Sequence, residues 1–160
     1  MMRAKSMRAR FQAKPISAIL VMLSFLFTAL LPAQSSSAST LTVRIVNARN
    51  ANGVVRIALF QSAEGFPGDA SKALRTQPAK IDPQTLTAQV VFSELPQGTY
   101  AVIIFHDENG NGKLDKNLVG IPKEGYGASN NPAKKMRPPA FDEAKFSLTS
   151  DQSVEVKLIY

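Results

Sequence analysis

One stretch of the chain gathers residue types at a spacing that suits chemistry. It reads Asp107-Glu108-Asn109-Gly110-Asn111-Gly112-Lys113-Leu114-Asp115. Oxygen-bearing side chains stand at positions 1, 3, 5 and 9, with Gly at position 6. In calcium loops alternate oxygens converge on the ion, the Gly permits a sharp turn, and the carbonyl of residue 7 contributes. The expected ligands are therefore the side chains of Asp107, Asn109, Asn111 and Asp115 and the carbonyl of Lys113. Position 12 of an EF-hand carries a bidentate Glu, and here it is Leu118. No helices flank the segment, so it is not an EF-hand. Glu124, Asp142 or water would complete a shell of six to eight oxygens. Two carboxylates and two amides give weak affinity, on the order of 10⁻⁴–10⁻³ M, as in extracellular modules. The competing reading is a tight turn, because Asn-Gly pairs favour positive φ and Asp and Asn cap their own turns.

Other side chains suggest weaker chemistry. His106 is the only histidine, at the end of an apolar run and on the face of Tyr100, Val102 and Ile104. A hydrolase would need it as base, with Asp107 to orient it and Ser129 as nucleophile. Adjacent strand residues point to opposite faces, so Asp107 is badly placed for that role. Gly127-Ala128-Ser129-Asn130 is also no nucleophile elbow. A structural His106, bonded to the following loop, is the expectation. Lys134, Lys135 and Arg137 form a small basic cluster before Pro138 and Pro139, suited to an anionic envelope polymer or to plain solvation. Tyr126 lies between two glycines, where it either stacks on a sugar or packs the loop down. His106, Tyr126, Lys134, Lys135 and Arg137 together make up the candidate ligand surface.

The elements that must position these residues read as strands. Leu41, Val43 and Ile45 alternate with polar neighbours, as do Val55, Ile57 and Leu59. Leu86, Ala88, Val90 and Phe92 follow, then Phe146 and Leu148, then Val154, Val156, Leu158 and Tyr160. A period of two marks half-buried strands. Ala101–Phe105 is apolar on both faces, which suggests a central strand. Residues 75–81 make a weaker strand interrupted by Pro78, and residues 62–73 offer at most one helical turn. Short strands separated by Gly, Pro and Asn turns predict an all-β fold, a single antiparallel β-sandwich of about seven strands. Residues 107–139 remain as one long, Gly- and Pro-rich loop. Loops of that length are usually functional or disordered, and this one is expected to be ordered.

The first 38 residues differ from the rest. Arg3, Lys5, Arg8, Arg10 and Lys14 precede an apolar run from Ile16 to Leu31, and small residues follow Pro32. This is the pattern of a secretory signal peptide, with cleavage after Ala33 or Ala38 and a domain over 39–160. The run of 16 residues is shorter than the ~20 that a spanning helix needs, so no membrane span is expected after cleavage. The whole chain carries 19 basic and 12 acidic residues, a net charge of +7. Five of the basic residues lie in the leader, so the remainder is close to neutral and implies no nucleic-acid partner. The absence of cysteine excludes disulfides, thiol catalysis and lipid attachment to a cysteine.

Several motifs together resemble a bacterial family of exported proteins. They are Leu95-Pro96-Gln97-Gly98-Thr99-Tyr100-Ala101-Val102, the His106–Asp115 string, and Gly120-Ile121-Pro122-Lys123-Glu124-Gly125-Tyr126-Gly127. Ser129-Asn130-Asn131 and Pro139-Ala140-Phe141-Asp142-Glu143-Ala144 continue the match. On these residues the chain resembles the domain-of-unknown-function 2141 family over about 41–160. The resemblance implies a bacterial envelope or secreted protein and no particular reaction. More loosely, the Leu-Pro-x-Gly-x-Tyr stretch is similar to strand openings in transthyretin-like and collagen-adhesin-B-type sandwiches. Some bacterial surface repeats of that kind bind calcium through an Asp-x-Asn-x-x-Gly loop. The expectation is a monomeric, non-enzymatic module, periplasmic or extracellular, with Ca²⁺ ordering the 107–139 segment. The alternatives are a metal-free binder of an envelope glycan, polymer or protein, and a hydrolase using His106.

Overall fold

A computed structural model describes residues 38–133 and 137–160. The expected leader, apart from its last residue Ala38, and Lys134 and Lys135 of the basic cluster lie outside the described residues. No helix among the described residues is long and apolar enough to cross a membrane.

The chain is all-β. It forms strands β1 (Ser39–Val46), β2 (Val54–Phe60), β3 (Arg75–Ala79), β4 (Ala88–Leu95), β5 (Gly98–Asp107), β6 (Tyr126–Ala128), β7 (Phe146–Leu148) and β8 (Gln152–Lys157). One sheet has the order β4-β1-β8, and the other β3-β2-β5-β6 with β7 also paired to β5. Alternation places Leu41, Val43 and Ile45 of β1 and Val90 and Phe92 of β4 in a common core. Val55, Ile57 and Leu59 of β2 and Tyr100, Val102 and Ile104 of β5 join them there. Residues of both sheets therefore meet in one apolar cluster, to which β1, β2 and β4 contribute alternate side chains.

The central position of β5 follows from its composition. Ala101, on the face away from the main core, packs with Ala128, Ala144, Phe66 and Phe141 in a second, smaller cluster. A strand apolar on both faces can be covered on both. β3 takes the sheet edge, the place in a sheet where a proline such as Pro78 is tolerated.

Three features depart from the sequence expectation. The pairing is not wholly antiparallel, since β1 and β8 run parallel from Leu41↔Gln152 to Val46↔Lys157. Parallel neighbours need a long connection, and here nearly the whole domain lies between them. Residues 107–139 are also not one loop. Lys116 bridges Pro122, and Tyr126–Ala128 returns as β6 beside Phe105–Ile103. Finally, a short helix, α1 (Phe141–Ala144), precedes β7. The Glu143 carboxylate accepts from the Ala140 N–H at 2.9 Å, which ties down its first turn. The expected helical turn within 62–73 is a 3₁₀ turn over Ala70–Lys72.

Candidate functional site

The Asp107 end of β5 is built from three chain segments. These are the β1–β2 connection (residues 47–53), the β5–β6 connection (residues 108–125) and Tyr160. Gly53 faces the first residue of the candidate loop at very short range. Its φ is +62°, and an added Cβ would collide with the Asp107 carbonyl oxygen. Only glycine fits there.

Asp107 is fully buried. Its Oδ2 accepts from Arg56 Nε at 2.6 Å and from the Gly112 N–H at 3.0 Å. Val54 pairs with Asp107 across the sheet, so Arg56 is the diagonal neighbour on the same face, within reach of a long side chain. The other oxygen, Oδ1, is buried without a hydrogen-bond partner. Burial pushes the Asp107 pKa up. Hydrogen bonds from Arg56 and Gly112, with the Arg56 charge, outweigh burial and leave the pKa below the usual value.

Above Asp107 the loop folds through successive side-chain turns. Asn109 Oδ1 accepts from the Asn111 N–H at 3.0 Å, and Asn111 Oδ1 from the Lys113 N–H at 2.8 Å. The two amide nitrogens donate to the Asp115 carboxylate, at 2.7 Å from Asn109 and 3.0 Å from Asn111. The structure thus brings Asn109, Asn111 and Asp115 together and sets Asp107 at the loop's base, held by Arg56. No cluster of three or more His, Cys, Asp or Glu that could hold a metal ion occurs among the described residues. Any cation here would rely on amide and carbonyl oxygens besides the two carboxylates.

Glu124 staples the loop. It is buried, and its two oxygens accept from the Glu108 and Asp115 backbone N–H groups, each at 2.9 Å. Asp142 is not near the loop. It sits on α1, beside the Ala101 end of β5, and takes Lys145 as partner at 2.8 Å. Six residues of strand separate Ala101 from Asp107, about 20 Å.

His106 is buried and doubly bonded. Nε2 lies 2.7 Å from the Asn52 carbonyl, and Nδ1 lies 3.0 Å from the Tyr160 hydroxyl. A carbonyl only accepts, so Nε2 carries the proton and, in the neutral ring, Nδ1 accepts from Tyr160. The same hydroxyl oxygen accepts from the Arg49 N–H at 3.0 Å. The Arg49 guanidinium lies 4.7 Å over the Tyr160 ring and 2.6 Å from Glu108 Oε1. That last pair is a charge contact without hydrogen-bond alignment, since Oε1 is left without a hydrogen-bond partner. Burial, and then the Glu108 charge, raise the Tyr160 pKa against the opposing effect of Arg49.

The Ser/His pairing is not assembled. Ser129 Oγ accepts from the Val102 N–H at 2.9 Å and donates to the Ala144 carbonyl at 2.6 Å. Val102 lies four residues from His106 on the same strand, about 13 Å away. Ser129 ties β5 to the α1 segment.

Tyr126 is half-buried, and its backbone pairs with Phe105 on one side and Ile159 on the other. It shares a cleft of about 130 Å³ with Asn131, Arg137, Glu143 and Lys157. Two members of the predicted ligand surface thus meet here. However, Arg137 is held by Glu143 through two hydrogen bonds, of 2.9 and 3.0 Å.

Sequence reasoning missed Arg56, Glu108, Arg49, Asn52 and Tyr160 as members of the site. It named Glu124, but as a ligand and not as the staple.

The family comparison agrees with the motif string that forms this end of the fold. The model described as "Uncharacterized protein conserved in bacteria (DUF2141)" matches residues 43–157. The chain belongs to the DUF2141 family. The matched range runs from β1 to the end of β8, so the DUF2141 match covers both sheets as well as the 107–125 segment. No curated protein and no solved structure matches the chain.

Proposed function

We propose that this DUF2141 domain is an exported, non-enzymatic β-sandwich module whose 107–115 loop takes up Ca²⁺. Asp107, Asn109, Asn111 and Asp115 supply side-chain oxygens, and Lys113 supplies its carbonyl. The observation that carries the reading is Asp107 Oδ1, a carboxylate oxygen buried without a hydrogen-bond partner. The other oxygen of the same group is already fixed by Gly112 and Arg56. A cation offers Oδ1 the partner it lacks and offsets repulsion between Asp107 and Asp115. Binding to the folded state alone stabilises by RT ln(1 + [L]/Kd), about 1.4 kcal/mol at millimolar calcium with a Kd near 0.1 mM.

Thermal unfolding in EDTA, with Ca²⁺ and then Mg²⁺ restored, tests this. A rise in midpoint specific to Ca²⁺ and lost in Asp115→Ala is the expected result. Identical midpoints in EDTA and in calcium would remove the ion and leave the loop a hydrogen-bonded turn. Export rests on the leader pattern, and N-terminal sequencing of the protein recovered outside the cytoplasm should begin after Ala33 or Ala38.

A second reading draws on the cleft that joins Tyr126 to Arg137. In it the domain is a metal-free binder of an envelope glycan or polymer. Retention on immobilised glycans, lost in Tyr126→Ala, would favour this reading. Unchanged retention would count against it.

A further inference from the structure

Large apolar side chains left in water concentrate at one place among the described residues. Leu118 is fully exposed (107%), Val119 is 78% exposed and Ile121 is 54% exposed. The other two, Leu74 and Val91, are less than half exposed and stand singly on other elements. Single exposed apolar residues are ordinary, whereas a contiguous group marks an interaction site.

The group sits on a hairpin built to hold it outward. Lys116 bridges Pro122, and the Asn117 N–H donates to the Ile121 carbonyl at 2.8 Å. The Gly120 N–H donates back to the Asn117 carbonyl at 3.0 Å, and Gly120 has φ +83°. Asn117 Oδ1 accepts from Val119 at 3.1 Å and from Ile121 at 2.9 Å. One step lower, the Lys123 N–H donates to the Asp115 carbonyl at 2.8 Å, and buried Glu124 holds the Asp115 N–H. The apolar residues therefore crown a hydrogen-bonded turn.

The base of this tip is basic. Lys113, Lys116 and Lys123 are exposed, and the only acid between residues 112 and 123 is Asp115, which Asn109 and Asn111 already engage. Apolar side chains at a point, ringed by lysines, match the layering of a bilayer with anionic headgroups over hydrocarbon. A four-residue tip is far smaller than the ~800 Å² that each partner gives to a specific protein interface. A bilayer needs no complementary pocket.

We propose that residues 118–121 form a membrane-contact tip. Leu118, Val119 and Ile121 enter the interfacial zone of an anionic lipid surface, while Lys113, Lys116 and Lys123 meet its headgroups. The hairpin's own hydrogen bonds hold the tip, so the inference does not rest on calcium.

The chain has no cysteine, so Val119→Cys gives a unique labelling site for an environment-sensitive fluorophore on the full chain. Ser62→Cys, just beyond β2 and at the opposite end of the sheet, is the reference. In EDTA, vesicles of phosphatidylglycerol and phosphatidylethanolamine should blue-shift the probe at 119 and bring it within reach of spin-labelled acyl chains. The probe at 62 should not respond. Neutralising Lys116 and Lys123 to Gln should weaken partitioning about fivefold each, the equivalent of about 1 kcal/mol per lysine. Binding through the apolar segment 16–31 alone would leave position 119 in water, and that result would overturn the proposal. A shift that grows with protein concentration in the absence of lipid would overturn it too, making the tip a site of self-association.

Discussion

Asp107 is buried with one oxygen between Arg56 and Gly112, and its protonation is therefore coupled to folding. Its pKa in the folded protein lies below the ordinary value, as does that of Glu108. There burial pushes upward, but the Asn50 hydrogen bond and the adjacent Arg49 guanidinium prevail. Unfolded Asp and Glu titrate near ~3.9 and ~4.3. Stabilisation from a depressed carboxylate is present above those values and is lost as pH falls through the folded pKa. The unfolding midpoint should hold from neutrality to about pH 5 and drop below about pH 4. Asp107→Asn should lower the midpoint at pH 7 and flatten the acid limb. An acid limb unchanged by the substitution would show that Asp107 does not drive it. Tyr160→Phe probes the neighbouring network. It strips the buried His106 Nδ1 and the Arg49 N–H of their shared partner, at a cost of about 1–3 kcal/mol in a urea melt. A loss below about 0.5 kcal/mol would mean that water replaces the hydroxyl.

At the scale of the element, the 108–125 connection stays ordered because one carboxylate spans it. Glu124 accepts from residues 108 and 115, so Glu124→Ala releases two backbone donors at once. Bonds to a charged acceptor are worth about 1.5–3 kcal/mol each. The variant should show faster amide exchange at Glu108 and Asp115, with the β1–β4 ladder unaffected. Exchange that accelerates equally everywhere would mean that the staple is global and not local. The strands of this element set were legible in sequence because alternation is local: Leu41, Val43 and Ile45 announce their shared face without reference to any partner. The nine-residue string from Asp107 to Asp115 was legible for the same reason. Arg56 was not, because it reaches Asp107 across 51 residues through a register that only the folded sheet defines. Tyr126–Ala128 was missed as a strand because three residues, one of them Gly, carry no period. β1 beside β8 was missed because alternation says which face is buried but not which strand lies alongside or in which direction.

At the scale of the whole molecule, that parallel pair closes the fold and dictates an order of events. β1 sits between β4 and β8, so Leu41, Val43 and Ile45 are covered on both flanks only once β8 has docked. Joining β8 to β1 in the open chain closes a loop of about 110 residues, at an entropic cost about 2 kcal/mol above that of a ten-residue loop. Once β7 has paired with β5 through Gly98↔Leu148, the start of β8 is only four residues away and the same pairing becomes cheap. β8 should therefore dock after the transition state. Val156 is fully buried in the common core, and Val156→Ala should destabilise by about 2 kcal/mol. A late-docking residue changes unfolding and spares folding. In a chevron measured by stopped flow, the variant's unfolding arm should rise about thirtyfold while the folding arm stays within about twofold of the parent. A folding arm slowed by the full amount would place the β1–β8 pairing in the nucleus, with closure of the long loop as the slow step of folding.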